Sequence, residues 1–185
     1  ITDKEMLVSL SQRQGLLRNI HRYQSASRPP LPQTLAAAEI MAPYNQTLTG
    51  DRFLLFDSGL HDPNRVLLFS TNADLAHLCN SPLILGDGTF RTVPSLFQQL
   101  YTIHGAVGNH TFPLVYCLTV RKDEPTYHLI FRTLVTLCND RQLVLQPQTV
   151  LTDFEQATMN AARAIFPDAS IRACLFHLTQ SIWRR

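Results

Sequence analysis

The sequence predicts a mixed α/β fold, and three observations support this prediction. Hydrophobic residues make up 45% of the 185 positions, which is enough for a packed core. The middle of the chain contains short apolar runs bounded by Gly, Pro and Asn, a pattern typical of strands joined by tight turns. From Tyr127 onward, segments with apolar residues at helical spacing alternate with short continuous apolar runs, which are typical of buried strands. We therefore expect an antiparallel meander followed by strand–helix units.

Residues 1–33 are predicted to form a basic helical segment and a linker. The segment has five Lys and Arg residues against two Asp and Glu residues. Its apolar residues form only a loose helical stripe. The stretch Arg28-Pro-Pro-Leu-Pro32 should end the helix, because a residue that precedes proline avoids the helical conformation. We place a domain boundary here.

Residues 34–82 are predicted to form a β-hairpin and a helix that lead into the core. The apolar runs Phe53–Phe56 and Val66–Phe69 are separated by a cluster of turn-forming residues, which indicates a hairpin. Thr71 followed by Asp74 is typical of a helix N-cap. Asn80-Ser-Pro82 should end that helix.

Residues 83–185 are predicted to form the core itself. Three strands are expected first, at Leu83–Phe90, Leu96–Val107 and Pro113–Val120, and Gly108-Asn109 should form the hairpin turn between the last two. A helix then follows from Tyr127 to Cys138, where apolar residues lie at helical spacing.

Two strand–helix units complete the predicted core. They are Val150–Phe154 with Glu155–Phe166, and Ile171–Phe176 with His177–Arg185. The whole succession is that of a ribonuclease-H-like mixed sheet, with helices expected on both faces. Because the sequence stops inside the last expected helix, we expect a core that is truncated at its C-terminus.

Two aspartates are the candidate catalytic residues. Asp87 lies on the first core strand and Asp153 at the end of the fourth, and these strands are neighbours in the expected fold. Carboxylates brought together repel each other unless they share cations, and Mg²⁺ prefers such oxygen ligands. Gly86 and Gly88 would leave room beside Asp87 for a nucleic-acid backbone. Two bound Mg²⁺ ions can activate the attacking oxygen and stabilise the leaving oxygen when a phosphodiester bond is cut.

An ordinary structural explanation for both aspartates stays open at this point. Asp87 could be a turn residue in a Gly-Asp-Gly-Thr loop. Asp153, or Thr152 before it, could cap the helix that follows.

Several motifs in a fixed order carry a family resemblance. They are Asp87-Gly-Thr-Phe-Arg-Thr-Val-Pro94, Gln99-Leu-Tyr-Thr-Ile-His-Gly105, Pro113-Leu-Val-Tyr116, Leu151-Thr-Asp-Phe-Glu155 and Cys174-Leu-Phe-His-Leu-Thr-Gln-Ser-Ile-Trp183. From Phe53 to Arg185 the chain resembles the catalytic domain of Mutator-like-element (MULE) transposases of the DDE group. It most resembles the branch that often carries a FLYWCH-type zinc finger upstream.

The resemblance implies that Asp87 and Asp153 are the first two acids of an Asp-Asp-Glu set that holds two Mg²⁺ or Mn²⁺ ions. The glutamate is expected downstream of Arg185 and is not assigned to Glu155. Residues 1–185 alone are therefore predicted to be inactive.

The resemblance also makes Cys174 and His177 a Cys-x-x-His signature of unclear role. We expect no zinc there, because a structural zinc site needs four ligands and the sequence offers no second pair of this kind.

The expected function is metal-dependent hydrolysis and strand transfer in DNA transposition. The partners would be transposon ends and target DNA, and no membrane is expected. The intact enzyme would act in the nucleus and could be a homo-oligomer. Two alternatives remain. One is a transposase-derived factor that binds DNA or protein without catalysis, or a decayed remnant of a transposon. The other is a different ribonuclease-H-like nuclease.

Overall fold

The computed structural model describes residues 32–89 and 93–174, together with residues 15, 17, 18, 20 and 22. The chain divides into two compact units, residues 1–32 and 33–185. Residues 15, 17, 18, 20 and 22 of the first unit are helical. Leu17 and Ile20 are exposed, so this part of the loose apolar stripe is not buried. The rest of the expected N-terminal helix, and the expected helix His177–Arg185, lie outside the described residues.

In the part of the second unit that the structure describes, seven strands form one mixed sheet. They are β1 (Leu54–Asp57), β2 (Val66–Phe69), β3 (Leu83–Thr89), β4 (Gln99–Val107), β5 (His110–Thr119), β6 (Thr149–Thr152) and β7 (Ser170–Ala173). Their order across the sheet is β1-β2-β5-β4-β3-β6-β7. Across the sheet, each of β1, β2, β5, β4 and β3 is antiparallel to the next. The remaining neighbours, β3 with β6 and β6 with β7, are parallel. The predicted meander and the first strand–helix unit are confirmed, as is the strand of the second unit; its helix lies outside the described residues.

The hairpin between β4 and β5 has the two-residue turn that the sequence indicates. Gly108 has a φ of 61°, which glycine adopts at little cost. The ladder begins at Gln99 rather than at the predicted Leu96, because the amide of Phe97 donates to the carbonyl of Pro94 in a local turn. The pairing shifts by one residue between Ile103 and His104, at the level of Pro113, which has no amide to donate.

The described part of the second unit contains three α-helices. They are α1 (Asn72–Cys79), α2 (Glu124–Asn139) and α3 (Gln156–Ile165). The oxygen of Thr71 accepts a hydrogen bond from the Asp74 amide, as the predicted cap requires. Asp123 caps α2 in the same way, through the amide of Thr126. In the described residues no helix is long and apolar enough to cross a membrane.

The core lies between one face of the sheet and these three helices. Tyr101 of β4 packs edge-on against Tyr127 and Phe131 of α2, and Phe131 packs against Phe166 after α3. A Cβ on Gly105 of β4 would meet Leu78 of α1. The expected helices on both faces are therefore not observed within the described residues.

The opposite face of the sheet carries both polar and apolar side chains. It includes the half-buried Thr102 and His104, which alternate along β4 with the buried residues. Phe69 of β2 and Tyr116 of β5 lie on this face too, at the level of Thr102, and Phe53 packs against both.

The first hairpin is part of the sheet, since β2 pairs with β5. It also forms hydrogen bonds with the preceding segment, which includes a short 3₁₀ helix at Leu35–Ala37. The guanidinium of the fully buried Arg65 pairs with Asp57 at 2.6 Å and donates to the carbonyls of Leu35 and Ala38 at 2.9 Å. Residues 34–82 thus extend the core sheet and do not fold apart from it.

Candidate active site

Asp87 lies inside β3, in the centre of the sheet. It pairs with Thr102 of β4, and Thr102 pairs in turn with Tyr116 of β5. The hydroxyl of Thr102 donates to the Asp87 carbonyl and lies 3.0 Å from Nε2 of His104. Burial lowers the pKa of His104, and the negative charge of Asp87 acts in the opposite direction. Asp87 is therefore not a turn residue, and the alternative that made it one is wrong.

Asp153 follows β6 directly. Leu83 and Leu85 of β3 pair with Thr149 and Leu151 of β6, so Asp87 and Asp153 each lie two positions beyond the last of these pairs. The expectation that the two aspartates lie on neighbouring strands, at the same level, agrees with this register.

Asp153 does not cap helix α3. The N-cap of that helix is Glu155, and its side chain makes no capping hydrogen bond. Thr152 directs its hydroxyl to the Asp153 carbonyl at 2.9 Å, so it is not a cap either. The second ordinary explanation is thus also wrong, and neither aspartate has the local backbone role that would account for it.

The two carboxylates approach β3 from different sides. Oδ2 of Asp153 lies 3.5 Å from the position that a Cβ on Gly88 would take. Because side chains alternate along a strand, Asp87 points away from the side on which the Cβ of Gly86 or Gly88 would lie. In this structure the aspartates therefore do not share one cleft. In the described residues no group of three or more His, Cys, Asp and Glu side chains is placed to hold a metal ion.

The two glycines that flank Asp87 have a different role from the expected one. A Cβ on Gly86 would collide with the hydroxyl of Tyr101, and a Cβ on Gly88 would collide with Nε2 of Gln99. Both colliding groups belong to fully buried residues of β4. The glycines therefore make room for side chains of the protein's own core, and the expectation that they clear a path for nucleic acid is corrected.

A polar network beside Asp153 was not predicted from the sequence. The hydroxyl of Tyr127 lies 2.8 Å from Oε2 of Glu155 and 3.0 Å from Oε1 of Gln99. Burial, and then the Glu155 carboxylate, raise the pKa of Tyr127. Lys122 Nζ lies 3.9 Å from the other oxygen of Glu155. One signal was available, because Gln99 occupies a position that alternates with the buried Tyr101.

Tyr101 lies on the same side of the sheet as this network. Burial raises the pKa of Tyr101 strongly, and the charge of Asp153 contributes in the same direction. The hydroxyl of Tyr101 is buried and makes no hydrogen bond to the part of the chain that the structure describes.

The Cys-x-x-His pair is only half described. Cys174 follows β7, is partly buried, and donates its amide to the Thr152 carbonyl at 2.7 Å. This bond fixes the end of β7 beside the residue before Asp153. His177 lies outside the described residues, so the role of the pair stays a prediction.

The MULE transposase domain model matches residues 83–181, which is more than half of the chain. The match covers both aspartates, the network around Tyr127 and the Cys-x-x-His pair. No curated protein matches the chain. The matched segment begins where β3 begins and takes in five of the seven strands and helices α2 and α3. The chain therefore belongs to the MULE transposase domain family.

Proposed function

We propose that this chain is the metal-dependent catalytic part of a DNA transposase, with Asp87 and Asp153 as the first two carboxylates of its active site. The observation that carries the proposal is the position of the aspartates at one level of two neighbouring parallel strands. Asp is uncommon inside strands, and a metal-binding role would account for Asp87 at this position. The family match is the second support.

A ribonuclease-H-like core is part of the proposal. Counted from β3, the strands lie in the order third, second, first, fourth and fifth, with the first three antiparallel and the rest parallel. This order is the one expected for such a core. The carboxyl ends of β3 and β6 then form the edge at which the reaction takes place.

The carboxylates of Asp87 and Asp153 are of the kind that binds Mg²⁺ or Mn²⁺, but they are only two of the ligands that such a site needs. Carboxylate oxygens are the ligands that Mg²⁺ takes from proteins. Bound ions of this kind would activate an attacking oxygen and stabilise the leaving one. Asp153 would have to turn its carboxylate from Gly88 toward Asp87. Asp153 lies one residue beyond the end of β6, so the alternation of side chains along the strand does not fix its direction. A glutamate downstream of Arg185 would be the third ligand.

The proposed reaction has two steps on DNA. Water attacks the phosphodiester at the end of the element and releases a 3′-hydroxyl, which then attacks the target strand. Transposon ends and target DNA are the partners, the intact enzyme acts in the nucleus, and it has room for a homo-oligomeric assembly. Membership of the FLYWCH-associated branch stays a prediction.

The test is cleavage of DNA that carries the element's ends by the full-length protein with Mg²⁺ or Mn²⁺. Asp87→Asn and Asp153→Asn should each abolish cleavage, because each removes a charged ligand. Asp168→Asn is the matched control, since Asp168 is exposed in the turn before β7. Cleavage that survives both active-site substitutions would refute the assignment.

A second candidate is a transposase-derived factor that binds DNA without cutting it. The separation of the two carboxylates by β3 favours it, because such a factor needs no shared metal. Its distinguishing result would be DNA binding by the full-length protein that is unchanged in both aspartate variants and accompanied by no cleavage.

A further inference from the structure

We propose that Gln99, Tyr127 and Glu155 are positioning residues that hold Asp153 in place for metal binding. The inference rests on the proposed function, which supplies the metal. It assigns a role to three side chains that lie on three different elements. None of the three would itself contact the metal or the DNA.

The hydroxyl of Tyr127 is the centre of the network. It has one hydrogen and two acceptors within reach, Oε2 of Glu155 at 2.8 Å and Oε1 of Gln99 at 3.0 Å. The ring itself is fully buried in helix α2. A buried hydrogen bond to a charged group is stronger than a neutral one. Tyr127 therefore links helix α2 either to the segment that contains Asp153, through Glu155, or to strand β4, through Gln99.

The amide of Gln99 reaches from Tyr127 toward Asp153. Its Nε2 is the atom nearest to the position that a Cβ on Gly88 would take, and Oδ2 of Asp153 lies 3.5 Å from the same position. Nε2 is buried and makes no hydrogen bond to any described residue. Rotating the amide by 180° would place its oxygen beside a carboxylate, which electrostatic repulsion opposes. The donor thus lies on the side of Asp153 and is the group that would bind Oδ2.

A hydrogen bond to one carboxylate oxygen orients the other oxygen for a metal. Ligating carboxylates are commonly held by such bonds, and losing the outer partner weakens metal binding by roughly tenfold to a hundredfold. Gly88 is then required because any side chain there would displace the Gln99 amide. The network explains why a buried glutamine faces this strand and why Glu155 follows Asp153 so closely.

The test is a titration of the full-length protein with Mn²⁺, in which electron paramagnetic resonance measures the free ion. Tyr127→Phe removes only the hydroxyl and should weaken Mn²⁺ binding about tenfold or more. Tyr116→Phe is the matched control. It removes a hydroxyl from a tyrosine on the other face of the sheet, where that hydroxyl donates to the Pro113 carbonyl, and it should leave the affinity unchanged.

Substitutions at Glu155 separate a positioning residue from a metal ligand. Glu155→Gln keeps an oxygen that accepts from Tyr127, so the affinity should stay close to that of the wild type. Glu155→Ala removes the acceptor and should weaken binding about as much as Tyr127→Phe does. If Glu155→Gln loses binding as fully as Glu155→Ala, Glu155 is a ligand and the inference is overturned.

Two further outcomes separate this inference from the function on which it rests. If Asp87→Asn and Asp153→Asn abolish Mn²⁺ binding but Tyr127→Phe only lowers the unfolding temperature, the network is structural and the inference fails alone. If wild-type binding does not depend on either aspartate, the proposed function fails and the inference fails with it.

Discussion

At the residue scale, the strand that contains Asp87 packs tightly against its neighbour, with Gly86 against the hydroxyl of Tyr101. The Gly-Asp-Gly-Thr pattern marks Asp87 but is equally consistent with a turn. The tight packing of Gly86 against Tyr101 joins residues of two strands, and no local pattern encodes which side chain fills which gap. The network of Tyr127 was missed for the same reason, because its members come from distant parts of the chain.

Gly86→Ala should destabilise the fold. The new Cβ would overlap the hydroxyl of Tyr101, which sits on a rigid, fully buried ring. Overpacking of this kind costs about 1–3 kcal/mol in the free energy of unfolding. Tyr101→Phe in the same background should restore part of the loss, because it removes the clashing atom. Urea unfolding of the two variants and the wild type provides the measurement. Equal stability of Gly86→Ala and wild type would show that the strand adjusts freely.

At the scale of elements, strands and helices follow from local signals, but tertiary contacts fix their ends. Thr71 and its acidic partner mark the start of α1, and the structure confirms this cap. The predicted first residue of α3, Glu155, is its N-cap in the structure, whereas Asp153 and Thr152, which are good capping residues by type, do not cap it. The buried Arg65 could not be predicted, since its acceptors lie 27 and 30 residues away in sequence.

Arg65→Lys should destabilise the first hairpin and the segment that it holds. Lysine cannot donate in a fork to Asp57 and also reach the two carbonyls. Breaking a buried pair costs roughly 3–5 kcal/mol, and we expect the lower end because Asp57 keeps some solvent exposure. Arg132→Lys, on the exposed face of α2, is the matched control. Guanidinium unfolding measures both, and a loss no larger than the control's would contradict this account.

The Asp57–Arg65 pair also predicts a dependence of stability on acid. The hydrogen bond from Arg65 lowers the pKa of Asp57 below 3.8. A lowered folded-state pKa means that Asp57 stabilises the protein above its unfolded pKa, and that this contribution is lost as the pH falls through the folded value. The thermal unfolding temperature should therefore change less between pH 5 and pH 2 in Asp57→Asn than in wild type. This interval is chosen to include the usual pKa of an Asp side chain, about 3.9. Parallel pH profiles would contradict it.

At the scale of the whole molecule, the succession of elements was sufficient to predict the mixed sheet. Its order across β5, β4, β3, β6 and β7 follows from a meander and two crossovers. The sequence did not predict that the described helices share one face, because apolar periodicity shows that a helix is amphipathic but not which side of a sheet it covers. The side from which each carboxylate approaches β3 is likewise a tertiary property.

Residues 1–185 alone should not cleave or join DNA strands with Mg²⁺ or Mn²⁺. Two carboxylates leave most positions around such an ion to water, and Mg²⁺ requires near-octahedral geometry. A misplacement of about 1 Å can already reduce a rate about a hundredfold. Gel assays of strand cleavage should compare residues 1–185 with the full-length protein. Robust cleavage by residues 1–185 alone, lost in Asp87→Ala, would place the third ligand within these residues.

The central claim is that Asp87 and Asp153 bind the same metal site, and a crystal structure with Mn²⁺ tests it most directly. The full-length protein, soaked in Mn²⁺, should give anomalous scattering peaks within coordination distance of both carboxylates. Asp153 should have turned from Gly88, and Nε2 of Gln99 should donate to it. A carboxylate of Asp153 that stays on the Gly88 side of β3, with no peak near Asp87, would contradict the account.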